Sequence, residues 1–214
     1  MTVLASIICL LEGYLLGSLN FSIILSRTFK GQDIRDHGSK NAGMTNILRT
    51  YGKKYAFLCG LGDFSKGLLA VLLARFLFSW MGASGFDPGY LAGIAAMAGH
   101  MFPLYFGFRG GKGVMTGLGI MIALDPVTFL LVLVFALPLL YKTRIVSLAS
   151  ITGAALYPVI TLVTRLVTHR PALADTLFAL LCGCVVLYMH RGNIDRLLHG
   201  TEYRFGEKPP ENKN

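Results

Sequence analysis

Charge is what this chain has least of: 14% of its 214 residues are Asp, Glu, Lys or Arg, against 54% hydrophobic. Soluble domains carry roughly 25% charged residues, and a mean hydropathy of +0.59 leaves too little polar surface to coat one. An ordinary soluble enzyme is excluded; the chain reads as an integral membrane protein. Acidic residues are scarcer still, 11 against 20 basic, for a net charge of +9. Membrane topology and attraction to anionic headgroups account for that excess, so no nucleic-acid partner is expected. Cys9, Cys59, Cys182 and Cys184 all lie in apolar stretches without paired ligand spacing. This argues against a zinc centre or redox pair and for free, buried thiols. No basic residue precedes Arg27, so the first apolar stretch lacks the positive start of a cleaved signal and is expected to remain as a span. A repeat architecture is likewise absent.

What is present is a series of apolar runs, at 3–25, 56–81, 89–107, 113–124, 127–141, 145–165 and 172–190. Set against the ~20 residues that cross a bilayer as a helix, they predict an all-α bundle of about seven transmembrane helices, some short. The runs 113–124 and 127–141 meet at Asp125 and Pro126; a steep hairpin, a re-entrant pair or one broken helix all fit, so five or six crossings are also compatible. Basic residues cluster in alternate loops. Arg27, Lys30, Arg35, Lys40, Arg49, Lys53 and Lys54 follow the first run, Arg109 and Lys112 the third, Lys142 and Arg144 the fifth, and Arg191 onward the last. The intervening loops hold only Arg170. By the positive-inside rule the N-terminus is outside and the C-terminus cytoplasmic. One membrane domain is expected over 1–205, with a polar cytoplasmic tail at 206–214.

Two polar segments interrupt this apolar background. The first, at 31–54, gathers Gly, Ser, Asn and Thr among cations, a vocabulary of N–H groups, hydroxyls and guanidinium suited to an oxyanion. A charge run alone is also what a solvated positive-inside loop looks like. Ser39 and Asn41 followed by Thr45, Asn46 and Arg49 suggest more organisation, since a helix there puts Thr45 and Arg49 on one face. The second segment runs from His100 to Arg109-Gly110-Gly111-Lys112-Gly113 at the start of a predicted helix. There the dipole and unpaired N–H groups favour an anion, and the glycines let backbone approach it. A nucleotide P-loop does not fit, because its pattern needs Gly where Phe106 stands and Ser or Thr where Gly113 stands. His37, His169, His190 and His199 form no ligand pattern with His100, so no metal is expected.

Asp63 and Lys66 sit three residues apart in a predicted helix, where a structural ion pair is favoured over catalysis. Glu12 lies mid-span without a local partner and is expected to face the bundle interior or water. Small-residue pairs, Gly13 with Gly17, Gly89 with Gly93 and Gly113 with Gly117, are expected to allow close helix approach.

The segments GSLN (17–20), DIRDHGSKNAGMTNILR (33–49), DFSKG (63–67), GHMFPLYFGFRGGKGVMTGLG (99–119), SLAS (147–150) and HRGNIDRLLHGTE (190–202) together resemble the bacterial acyl-phosphate:glycerol-3-phosphate acyltransferase family, PlsY. The resemblance covers nearly the whole chain and implies a multi-pass protein of the bacterial inner membrane with its active site towards the cytoplasm. It also implies transfer of a fatty acyl chain from acyl phosphate to the sn-1 hydroxyl of glycerol 3-phosphate, giving lysophosphatidate and inorganic phosphate, without a cofactor. Its residue roles carry over as follows. Ser39, Arg49, His100 and Lys112 would serve glycerol 3-phosphate and the reacting centre. Asn41, Thr45, Asn46, Gly110, Gly111, Ser147 and Asn193 would bind substrate, most of them caging the donor phosphate.

Direct attack of the hydroxyl on the acyl carbonyl would need no acyl-enzyme. His100 is then either a general base or an orienter of the hydroxyl while a substrate phosphate takes the proton. Lys40 departs from the resemblance, standing where the family usually has Gly; Asn20, Met44 and Met115 depart less. From another class, a transporter of a phosphorylated metabolite would also explain intramembrane charge and short spans. The polar motifs, however, gather on one side only. Protein partners are not legible in these residues.

Overall fold

The computed structural model describes residues 1–206; residues 207–214, most of the expected polar tail, lie outside the described residues. Among the described residues there are ten α-helices and two short 3-10 turns, with no strand. The chain divides into two compact units, Met1–Pro126 and Val127–Asn214.

The first unit holds α1 (Thr2–Gly17), α2 (Phe21–Lys30), α3 (Met44–Tyr51), α4 (Lys53–Trp80), α5 (Gly89–Met101) and α6 (Val114–Leu124). In α1 the residues at four-residue spacing that face inward are small: Ala5, Cys9, Gly13 and Gly17 are buried. Leu4, Ile7, Leu11 and Leu15 are exposed. Water would reverse that arrangement; a lipid surround explains it, because helices in a bilayer gain by close packing of small residues and lose nothing by exposing leucine. A Cβ at Gly13 would meet the backbone of Ala92, and one at Gly17 the backbone of Ala96, so α1 crosses α5 at backbone contact. The same device joins α4 to α6 through Gly67 against Thr116 and Gly119 against Phe64. Gly117, expected to pair with Gly113 in packing, meets nothing within 4 Å; Gly113 instead caps α6 with φ 80°.

The first apolar run extends further than expected and is broken. Ser18 to Asn20 interrupt it, and α2 restarts because the Asn20 side chain accepts the N–H of Ile23 at 3.2 Å, satisfying a donor at the helix start. The two pieces together form a 29-residue span candidate. At 28 residues, α4 is about 42 Å long, more than the ~30 Å hydrocarbon layer. By contrast α5, with 13 residues, and α6, with 11, are too short to cross alone. The runs 89–107 and 113–124 contain them, but Phe102 and Pro103 end α5 and the glycine loop that follows is not helical. Opposite the basic loops, Arg75 binds Asp87 through both carboxylate oxygens and donates to the Ala123 carbonyl at 2.9 Å, pinning the 82–88 loop.

The second unit contains α7 (Pro126–Thr143), α8 (Val146–Val167), α9 (Leu173–Met189) and α10 (Arg191–Leu198). Helices α8 and α9 pack with Gly183 against the Ala154 carbonyl, and Arg165 pairs with Asp175 near the turn between them. A bend of 61° separates α9 from α10. Among the described residues, four segments are long and apolar enough to cross alone, or five counting the bent pair. Of the thiols, Cys9, Cys59 and Cys182 are free and buried as expected. Cys184 is the exception: two residues past Cys182 on one helix, it points to the opposite face and is exposed.

Candidate active site

The loop before α3 is organised around one side chain. Asn46, 1% exposed, donates its amide hydrogens to the carbonyls of Ile34, His37 and Asn41 at 2.9 to 3.1 Å, and its oxygen accepts the N–H of Ser39 at 2.9 Å. Its polar capacity is spent on backbone, so it shapes the loop from within. Gly38 and Lys40, on either side of Ser39, both have left-handed φ, 57° and 58°. The double kink presents Ser39 at the surface. Thr45 and Arg49 lie one turn apart on α3, both half-buried, as the spacing predicted.

A second clamp ties this loop to the one after α5. Asp33 accepts from Arg27 and Arg35, and the Arg35 guanidinium continues to the carbonyls of Phe106 at 2.6 Å and Arg109 at 3.0 Å. Hydrogen bonds from Arg35, helped by its charge, hold the Asp33 carboxyl well below the usual carboxylate range. The Asp33 carboxylate in turn raises the Arg35 guanidinium.

The glycine loop works differently from the expected cradle. Gly110 donates its N–H to the Met101 carbonyl at 3.0 Å and Gly111 to the His100 carbonyl at 3.2 Å. Those two N–H groups are therefore committed inward. The need for glycine is steric: a Cβ at Gly110 would strike the His100 carbonyl, and one at Gly111 would strike both the Ala42 carbonyl and His100 Nε2. Gly111 is thus the point at which the loop of Ser39, the end of α5 and the loop of Lys112 meet. Lys112 follows directly, ahead of Gly113 and the first turn of α6.

His100 is 3% exposed and does not stand alone. Its Nδ1 lies 2.9 Å from Lys66 Nζ and 3.5 Å from Asp63 Oδ1. Lys66 and Asp63 form the expected ion pair at 2.8 Å, fully inside the unit. Asp63 also receives the Phe21 N–H at 3.4 Å and the Cys59 thiol at 3.6 Å. Glu12, the other intramembrane carboxyl, has both oxygens buried without a hydrogen-bond partner among the described residues.

In the second unit, Ser147 and Asn193 converge. Ser147 Oγ donates at 2.9 Å and Asn193 Nδ2 at 2.8 Å to the same oxygen of Glu202, whose other oxygen accepts from Arg196 Nε at 2.8 Å.

This arrangement has close relatives. A family model described as glycerol-3-phosphate acyltransferase matches residues 7–200. The chain belongs to the glycerol-3-phosphate acyltransferase family. It is 41% identical over 208 residues to the glycerol-3-phosphate acyltransferase of Clostridioides difficile, covering 97% of this chain and 99% of that one. With the Neisseria meningitidis enzyme of the same name it shares 43% over 195 residues, covering 91% and 94%. Among solved structures it is similar to PlsY (YgiH), an integral membrane glycerol 3-phosphate acyltransferase, in its glycerol 3-phosphate form. That similarity has a TM-score of 0.81 at 37% identity, covering 94% of this chain and 96% of the other. The lysophosphatidic acid form of that protein matches with a TM-score of 0.78.

Within this glycerol-3-phosphate acyltransferase chain, the first unit brings together Ser39, Asn41, Asn46, His100, Gly110 and Gly111 through the contacts above, with Thr45, Arg49 and Lys112 on the elements that carry them. Ser147 and Asn193 are brought together in the second. Sequence reasoning misses the part played by five residues. Spacing favours Lys66 and Asp63 as a structural ion pair, and in the structure that pair also reaches His100. In the sequence Arg35 counts only among the basic loop residues, and Asp33 and Glu202 lie within the family-like motifs without an assigned role. The signal for the first lay in the sequence: a buried histidine next to a buried ion pair calls for a common network, since each polar group must find a partner.

Proposed function

We propose that this protein transfers a fatty acyl chain from acyl phosphate to the sn-1 hydroxyl of glycerol 3-phosphate, releasing lysophosphatidate and inorganic phosphate in phospholipid synthesis. The observation that carries this is the meeting at Gly111, where the Ser39 loop, His100 and the Lys112 loop converge within a lipid-facing helical unit. Both substrates carry phosphate, and the donor also carries a hydrocarbon tail that a lipid-exposed bundle suits. In this scheme Ser39, Arg49 and Lys112 bind and neutralise phosphate, Lys112 and neighbouring donors steady charge on the acyl carbonyl and departing phosphate, and His100 contacts the hydroxyl. Asn41 and Thr45 serve phosphate binding. Asn46 acts through the Ser39 loop, and Gly110 and Gly111 act by permitting the close approach. Ser147 and Asn193 serve the donor phosphate, with Glu202 holding the two donors in register.

The protein is a multi-pass protein of the bacterial inner membrane. We further propose that the N-terminus is outside and the C-terminus cytoplasmic, which puts the basic loops and the site at the cytoplasmic headgroup level. The match over 7–200 supports a single acyltransferase domain across 1–205. The test is to give purified protein in lipid acyl phosphate and labelled glycerol 3-phosphate and to measure lysophosphatidate and phosphate. Product that vanishes in His100→Ala and Lys112→Ala supports the reading; wild-type protein making no more than these variants overturns it.

A further inference from the structure

Three acceptors surround the Lys66 ammonium: Asp63 Oδ1 at 2.8 Å, the Leu19 carbonyl at 2.8 Å and His100 Nδ1 at 2.9 Å. An ammonium has three N–H donors and no lone pair. Each hydrogen therefore meets one acceptor, and Nδ1 takes the third as a bare lone pair. A charged Lys66 obliges the neutral imidazole to carry its hydrogen on Nε2. Asp63 keeps Lys66 charged, because both side chains are 2% exposed and either charge left unpaired there would be costly. The rival arrangement has Nδ1–H donating to Asp63 Oδ1, but that separation is 3.5 Å, the outer limit for such a bond. On its far side, Nε2 faces Gly111 and the substrate loops.

We infer that Lys66, held by Asp63, is a positioning residue that fixes His100 as an Nε2–H donor toward the site. His100 then offers the site a hydrogen and not a lone pair. This rests on the acyl-transfer function proposed above.

The test has two arms. In the first, NMR of wild-type protein carrying isotope-labelled histidine, with His100 assigned by its loss in His100→Gln, reads which ring nitrogen bears hydrogen. Hydrogen on Nε2 with Nδ1 bare is expected, and hydrogen on Nδ1 overturns the inference. This arm decides even if the protein makes no lysophosphatidate, the result that would sink the functional proposal instead.

The second arm compares turnover. His100→Gln retains an amide donor and is expected to keep kcat within about tenfold of wild type, while His100→Ala loses on the order of a hundredfold. A general base would make the two variants equally poor, by about 100- to 10,000-fold. Asp63→Asn/Lys66→Met removes both charges together, so neither is stranded. It is expected to lower kcat roughly tenfold or more with KM for glycerol 3-phosphate changed less than about twofold. Unchanged kcat in that variant also overturns the assignment.

Discussion

The side-chain oxygen of Asn46 accepts the backbone N–H of Ser39 at 2.9 Å, while the same amide feeds hydrogen to three carbonyls of the loop before it. Asn46→Asp keeps the shape and the acceptor but removes every donor, turning a carboxylate oxygen toward three carbonyl oxygens. A buried acceptor left without a partner costs about 1–3 kcal/mol, so the variant should lose roughly 2 kcal/mol or more of stability. Its activity should fall with it, because Ser39 loses its support. Thermal unfolding in detergent alongside the acyltransfer assay measures both; a variant as stable as wild type would show that this amide does not organise the loop.

Two glycines in neighbouring motif positions should respond in opposite ways to the same added methyl. Gly111→Ala drives a Cβ into the Ala42 carbonyl and the His100 ring, so the loops must separate; kcat/KM is expected to fall at least about a hundredfold, as for a misplacement near 1 Å. Gly117→Ala meets nothing within 4 Å and replaces the poorer helix former, so stability should rise by about 0.5–1 kcal/mol with activity unchanged. Parallel assays of the pair separate steric need from general sensitivity of the motif. Equal losses would refute the assignment.

The contrast shows what the sequence made legible. The helical membrane class, the Asp63 with Lys66 pair and the helix carrying Thr45 and Arg49 all follow from composition and short-range spacing, which are local properties. Side-chain direction in the loops is not local. Gly110 and Gly111 read as an anion motif in the sequence, yet their N–H groups turn toward Met101 and His100; only the path of the chain after Pro103 decides that. The link from Lys66 to His100 spans 34 positions, beyond any periodicity, so the sequence presents it as two separate features. The apolar run at 89–107 outlasts α5 because Phe102, Leu104, Tyr105 and Phe106 are apolar, and hydropathy cannot distinguish an apolar loop at the membrane surface from a helix within it.

Lys40 illustrates a departure with a measurable consequence. Its φ of 58° belongs to the left-handed region, where a residue with a Cβ is disfavoured by roughly 1–2 kcal/mol relative to its usual conformations. This explains why glycine suits the position next to Ser39. Lys40→Gly removes that strain but gives up some unfolded-state restriction, leaving a net gain of about 0.5–1 kcal/mol. The exposed side chain makes no hydrogen bond or ion pair among the described residues that would offset it. Raised thermal stability is the expected outcome, read by unfolding in detergent; a lower value would mean that the lysine charge outweighs the backbone strain.

The Asp33 clamp predicts how acid loosens the site. Hydrogen bonds from Arg35, then Arg27, keep Asp33 ionised in the folded protein to lower pH than in the unfolded chain, where its pKa is about 3.9. A group whose folded-state value is depressed contributes its stabilisation in full above the unfolded value, and loses it as pH falls through the folded one. Asp33→Asn lacks the charge at every pH. The variant should therefore unfold at lower temperature than wild type by a constant margin from neutral pH down to roughly pH 5, with the margin narrowing below about pH 4. Because Arg35 also holds the carbonyls of Phe106 and Arg109, the same variant should raise KM for glycerol 3-phosphate at neutral pH as the two loops drift apart. A margin that stays constant through acid, or an unchanged KM, would mean the clamp joins the loops without supporting either stability or substrate binding.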